Sequence, residues 1–190
     1  VIILLARVFM SDDKSKLAAT ALKCLQEFEE LTSKFYEKLS ALSNDEVAVL
    51  AFKWLSVESN SHAVLMQNIY DLLGVGASDI ECSKLVGEPW RKLELLANSI
   101  GSGGRLDILE VLNKMEFVEG FVGEEMYGRL LYSILDVLLV DTLSAELAGL
   151  VKELLSEIAK EEEYHASIVN LLRHFEEVRR SKTSKQLNEV

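Results

Sequence analysis

DKSKLAATALKCLQEFEELTSKFYEKLSALSNDE, residues 13–46, sets the fold class. Leu17, Ala21, Cys24, Leu25, Phe28, Leu31, Phe35, Leu39 and Leu42 recur at steps of three and four, which lays them along one face of an α-helix. The run stops at Ser43-Asn44-Asp45-Glu46, where Ser43 is placed to cap a second helix and Glu46 to complete a capping box. That helix extends to residue 73 with Val47, Ala51, Leu55, His62, Leu65, Met66 and Ile69 on one face. So short a turn makes the first two helices antiparallel neighbours.

Further along, Gly74, Gly76, Gly87 and the run Gly101-Ser102-Gly103-Gly104 interrupt the pattern over 74–105, leaving room for one short helix after Pro89. A third helix, over about 105–140, is apolar almost all round, which predicts burial on more than one side and contact with another subunit. A fourth follows Asp141-Thr142 and runs to about residue 180, carrying Leu147, Leu150, Val151, Leu154, Ile158, Val169 and Leu172. The expected fold is all-α, an antiparallel four-helix bundle of ferritin-like connectivity with a long crossover between the second and third helices. One domain covers 13–180, between an apolar tail at 1–12 and a polar tail at 181–190 that frays.

Composition agrees with this and narrows function. Of 190 residues, 49% are apolar and one is proline, as in helical domains. The net charge of −11 disfavours nucleic acid and anionic membrane surfaces, which need a basic excess. VIILLARVFM at 1–10 is too short to span a bilayer and lacks the features of a signal peptide. Cys24 and Cys82 form no CxxC and no disulfide framework, so the expectation is two reduced thiols in a cytoplasmic protein.

The residues facing inward carry the chemistry. At about 100° per residue, His62 and His165 fall near the centres of the apolar faces of the second and fourth helices. A lone core histidine is ordinarily structural, but each of these has a carboxylate about one turn earlier. Glu162 and His165 form Glu-x-x-His, which aims a carboxylate and an imidazole at one point, as in di-iron carboxylate bundles. Glu58 precedes His62 by four residues, and Glu29 of the first helix lies at the same height as Glu58. The two halves also echo each other: Glu29-x6-Tyr36 then Glu58-x3-His62-Ala63, against Glu125-x6-Tyr132 then Glu161-Glu162-x2-His165-Ala166.

On these residues the chain resembles the rubrerythrin and ferritin-like family, each of whose halves carries Glu, a Tyr seven residues on and a later Glu-x-x-His. The resemblance covers most of 15–175. It implies metal-ligand roles for Glu29, His62, Glu125, Glu162 and His165, with Tyr36 and Tyr132 donating hydrogen bonds to the ligating carboxylates. It further implies two irons reacting with oxygen or peroxide. Ser59 stands where the family has its bridging glutamate; Glu58, one residue earlier, is the candidate replacement, and without it the site holds one metal or none. In the third helix Glu125 fits the duplication, while the apolar face of that helix points the alternative, Glu119, inward; Gly120 and Gly123 also admit a π-bulge there.

The expected function is therefore a ferritin-like metalloprotein, a di-iron oxidase or peroxidase of rubrerythrin type. Mn or Zn are alternative metals. Lacking a rubredoxin module, it needs an external electron donor, and a homodimer through helices is expected. The competing expectation is a non-catalytic scaffold or dimerisation protein with a degenerate metal site.

Overall fold

Three residues, Ser43 to Asp45, separate the two longest described helices of the N-terminal half, and they settle how those helices lie. The computed structural model describes residues 11–74, 76–77, 79, 81–101, 107–122 and 143–187, and side chains within 16–182 of these. Among the described residues there are no strands, and the order is α1 (Ser11–Leu42), α2 (Glu46–Leu73), α3 (Cys82–Val86), α4 (Glu88–Gly101), α5 (Ile108–Phe121) and α6 (Ala145–Leu187). Helices α1 and α2 pack along each other, α5 packs on α6, α2 also meets α6, and α3 and α4 lie against α1. No described helix is long and apolar enough to cross a membrane.

The turn is capped differently from expectation. Asp45, in extended conformation, is the N-cap of α2, and its Oδ1 accepts from the backbone N–H of Ala48 at 2.9 Å. Ser43 cannot take that role because its own N–H still closes the last turn of α1 onto Leu39 O, at 3.0 Å. Its hydroxyl instead accepts from Asp45 N–H at 3.3 Å. At the other end, Gly74 terminates α2 with φ 61°, a left-handed conformation that glycine adopts without a Cβ clash.

The buried residues of α2 are Phe52, Leu55, Ser59, His62, Ala63, Met66, Ile69 and Leu73. Ala63 apart, the steps alternate three and four without a break. Helix α6 does the same with Ala148, Val151, Leu155, Ile158, Glu162, His165, Val169 and Leu172. Such a 3.5-residue repeat keeps one narrow seam facing neighbouring helices over many turns. It also corrects the expected faces: Val47 and Leu150 are exposed, and Leu155 rather than Leu154 is in the core.

Helix α1 is enclosed more fully than a one-sided helix. Ala18, Ala19 and Leu22 are buried along with most of the expected stripe, and α3 and α4 lie against this helix; Leu17 and Leu31 are half-buried, and Leu42, expected in the stripe, is exposed. Helix α3 was not anticipated from the sequence. Conversely, the described part of α5 is buried on one face, through Val111, Leu112, Met115, Val118 and Glu119, while the ring of Phe117 is partly exposed beneath the Lys92 ammonium. A π-type turn follows at Val122, between the two glycines noted above. Helix α6 continues past Arg180 to Leu187, beyond the predicted fray point.

The cysteines are a clear correction: Cys24 and Cys82 form a disulfide, with Cα atoms 4.9 Å apart. Cys24 is fully buried on α1, and α3 brings Cys82 to it. The bond pins the segment after α2 to the core, beside the Phe28–Trp90 ring contact at 5.9 Å. Closing a loop of 58 residues limits the unfolded chain and contributes about 4 kcal/mol on the chain-entropy scale. The double variant Cys24→Ser/Cys82→Ser should therefore lose roughly 2–4 kcal/mol in urea unfolding. Unreduced protein should show no thiol that reacts with a thiol reagent after denaturation; two reactive thiols would contradict the pairing.

Candidate metal centre

Ser59 and His62 are consecutive positions in the seam of α2, and Glu162 and His165 are consecutive in the seam of α6. The shared period brings the two histidines face to face, with ring centroids 5.5 Å apart and planes 24° from parallel. Both are buried, at 3% and 0% exposure. Glu162, 1% exposed, reaches between them. Its Oε1 lies 2.9 Å from His62 Nδ1 and 3.4 Å from His165 Nδ1.

Two more helices contribute. From α1, Glu29 places Oε1 4.0 Å from His62 Nδ1, and from α5, Glu119 places Oε2 3.7 Å from His165 Nδ1. The Tyr36 hydroxyl of α1 donates to Glu119 Oε1 at 2.5 Å and stacks on Phe52. Trp54 meets His165 edge-on, centroids 5.4 Å apart. Two imidazoles and three carboxylates thus share one interior region.

Glu162, Glu119, the two imidazoles and the Tyr36 phenol are held in altered states by their surroundings. Burial pushes the Glu162 carboxyl up, but His165 and His62 outweigh it and hold its pKa at about 2. Burial likewise pushes both imidazoles down, yet Glu162, Glu29 and Glu161 hold His62 up at about 9, and Glu119 and Glu162 hold His165 at about 11. For Glu119 burial is the larger effect, and its pKa rises to about 6 despite His165. Burial, and then the Glu119 charge, raises Tyr36 well above its ordinary value, which keeps the phenol a hydrogen-bond donor.

The donor set fits a transition-metal ion. His62 Nδ1, His165 Nδ1 and Glu162 Oε1 are buried and converge as ion pairs, and among the described residues none of them has a well-aligned hydrogen bond. Ligand atoms of His62, Glu162 and His165 all lie within 4.8 Å of one another. Imidazole nitrogen and carboxylate oxygen are the donors that iron, manganese and zinc accept.

The structure brings together Glu29, His62, Glu162, His165, Tyr36 and the alternative Glu119. Glu58 is not among them: it is half-buried and joins His62 and Glu161 in a second group. The seam turns Ser59 inward in its place, fully buried and with no hydrogen-bond partner for its hydroxyl among the described residues. Glu125 and Tyr132 lie outside the described residues. Sequence reasoning missed Glu161, whose Oε2 is 2.9 Å from His62 Nε2, and Trp54. The Glu161-Glu162 pair was visible, but a residue flanking a seam gives no sign of the neighbour it will meet.

In comparisons with protein-family models, curated proteins and solved structures, nothing matches this chain.

The charged cluster predicts how metal-free protein responds to pH. The histidine pKa values are raised on folding, so the stability they contribute is present below about pH 6.5 and lost as pH rises through about 9 for His62 and about 11 for His165. Glu162 acts oppositely: its contribution is present above about pH 4.5 and lost as pH falls through about 2. Chelator-treated protein should therefore unfold at lower urea concentration at pH 9 than at pH 6. An unchanged midpoint would mean that the buried imidazoles are not charged.

Proposed function

We propose that this chain is a metal-binding protein whose centre is built on His62, Glu162 and His165, with Glu29 and Glu119 completing the donor set. One observation carries the reading: a single buried carboxylate oxygen stands between the Nδ1 atoms of two buried histidines, and among the described residues the three atoms have only one another and the Glu29 and Glu119 carboxylates as charge partners. Three buried carboxylates around two imidazoles form the environment in which a di- or trivalent cation offsets desolvation.

Within this reading the fold is a ferritin-like bundle of rubrerythrin type, with the segment between α2 and α5 as its crossover and iron as the metal. Bound iron would supply one-electron chemistry with oxygen or peroxide, using an external electron donor. The residues of the chain would hold that ion, and Tyr36 would fix the orientation of Glu119 through its hydrogen bond. Ser59 in place of a carboxylate favours one tightly held ion over two. The cytoplasm was expected partly from reduced thiols; the Cys24–Cys82 bond removes that support, since disulfides persist mainly in oxidising compartments.

A second reading rests on the same charges. Protonated histidines and ionised glutamates can satisfy one another, leaving a scaffold protein with no ion. Metal analysis separates the two. Protein purified without added metal should hold about one ion per chain, as expected for a single buried donor set. Glu162→Ala should remove nearly all of it, whereas Glu58→Ala should leave the stoichiometry unchanged. Two ions retained in Glu162→Ala would contradict the assignment, and metal-free protein after iron, manganese or zinc loading would favour the scaffold.

We also propose a homodimer through helices, for which α2 supplies a surface. Val47, Leu50, Trp54, Val57 and Val64 are all exposed and follow one another at three- and four-residue steps, apart from one gap at Ser61. An exposed apolar stripe with a 3.5-residue repeat suits a partner helix. Sedimentation should show a dimer for the wild type and a monomer of unchanged helicity for Leu50→Glu/Val57→Glu. A wild type that stays monomeric at every concentration would count against it.

A further inference from the structure

His62 presents its two ring nitrogens to different partners. Nδ1 faces inward and pairs with carboxylates alone among the described residues, 2.9 Å from Glu162 Oε1 and 4.0 Å from Glu29 Oε1. Nε2 faces the other way and is hydrogen-bonded to Glu161 Oε2 at 2.9 Å. An ionised carboxylate can only accept, so the proton in that bond belongs to Nε2. Without a cation Nδ1 also carries a proton, directed at Glu162 Oε1; when a cation displaces that proton, the one kept on Nε2 leaves the lone pair on Nδ1, the inward atom.

We propose that Glu161 is the positioning residue of the metal centre, holding His62 in its Nε2–H form and fixing the ring so that Nδ1 is the donor to a buried divalent cation. The inference rests on the metal-binding reading above. Glu161 itself does not reach that cation, because its carboxylate meets the opposite edge of the ring and its side chain is 47% exposed. A metal-ligating histidine commonly gives its second N–H to a carboxylate, which sets tautomer and orientation. His165 is not prepared in this way: among the described residues its Nε2 has no hydrogen-bond partner, and its carboxylate neighbours lie at Nδ1.

The same geometry defines the rival role. Glu58, His62 and Glu161 also form a group of potential ligands, which would make Glu161 a ligand to an outer cation at Nε2. The roles exclude each other, since Nε2 either carries the proton that Glu161 accepts or offers a lone pair to a metal.

The test uses zinc and the full chain. Wild type, Glu161→Gln, Glu161→Ala and the exposed control Glu163→Gln are titrated for affinity and stoichiometry, and zinc-loaded wild type is examined by long-range ¹H–¹⁵N correlation of its imidazoles. Glu161→Ala should weaken zinc binding about 10–100-fold at unchanged stoichiometry. Glu161→Gln, which keeps a carbonyl acceptor, should recover most of that loss, and Glu163→Gln should change nothing. In the zinc-loaded wild type His62 should show a protonated Nε2 and a metal-bound Nδ1. Unchanged affinity in Glu161→Ala, or zinc on His62 Nε2, overturns this inference and leaves the metal-binding reading standing. Loss of one zinc per chain in Glu161→Ala makes Glu161 a ligand and overturns it as well. A wild type that binds no zinc overturns the reading on which it rests.

Discussion

A carboxylate cannot stay ionised in an apolar interior unless something beside it carries positive charge, and Glu162 is such a carboxylate. Its burial is tolerated because two imidazoles face its Oε1 from α2 and α6. Those imidazoles in turn hold Glu29 and Glu119 close. The charged interior is thus one coupled unit drawn from α1, α2, α5 and α6, and removing any member would leave its neighbours uncompensated. A cation with several positive charges can take over the part that protons on His62 and His165 play without one.

The seams explain why these groups meet. Both α2 and α6 repeat their buried positions every 3.5 residues, so each keeps the same narrow face inward for six turns or more. Each replaces two consecutive apolar positions with polar ones. On α6 these are Glu162 and His165; on α2 they are Ser59 and His62. The two halves of the centre therefore match in position and differ in charge, since a hydroxyl stands where the other helix has a carboxylate. That single difference makes the region asymmetric: the carboxylate shared by both histidines comes from α6 alone.

Much of this was legible in the sequence, and what was not has identifiable causes. The spans of α1 and α2 followed from apolar spacing and a polar turn. His62 and His165 were recognisable because each sits mid-face on an otherwise apolar stripe. The cap was misassigned because Ser43 and Asp45 are equally good N-caps by type, and only the backbone shows that Ser43 still belongs to the preceding helix. The inward face of α6 was placed with too much weight on Leu150 and Leu154, because leucines crowd both sides of the true seam and only packing decides among them. Glu58, the candidate replacement for a carboxylate at Ser59, stands one residue off the seam, about 100° round the helix, and groups with His62 and Glu161 instead of with Glu162 and His165. The Cys24–Cys82 pair has no local spacing, since it depends on how a distant short helix docks on α1.

The disulfide also divides the centre in a way that the helices do not. Residues 24 to 82 form a covalently closed ring of chain, and Glu29, Tyr36, Glu58 and His62 all belong to it. Glu119, Glu161, Glu162 and His165 lie outside it. Apart from the main chain that runs on from residue 82, the two sets are joined by non-covalent contacts, so a local opening that parts α5 and α6 from the ring separates the groups while leaving each helix intact. An ion held by both sets would act as a second clasp, one that forms and releases without any change in the chain itself.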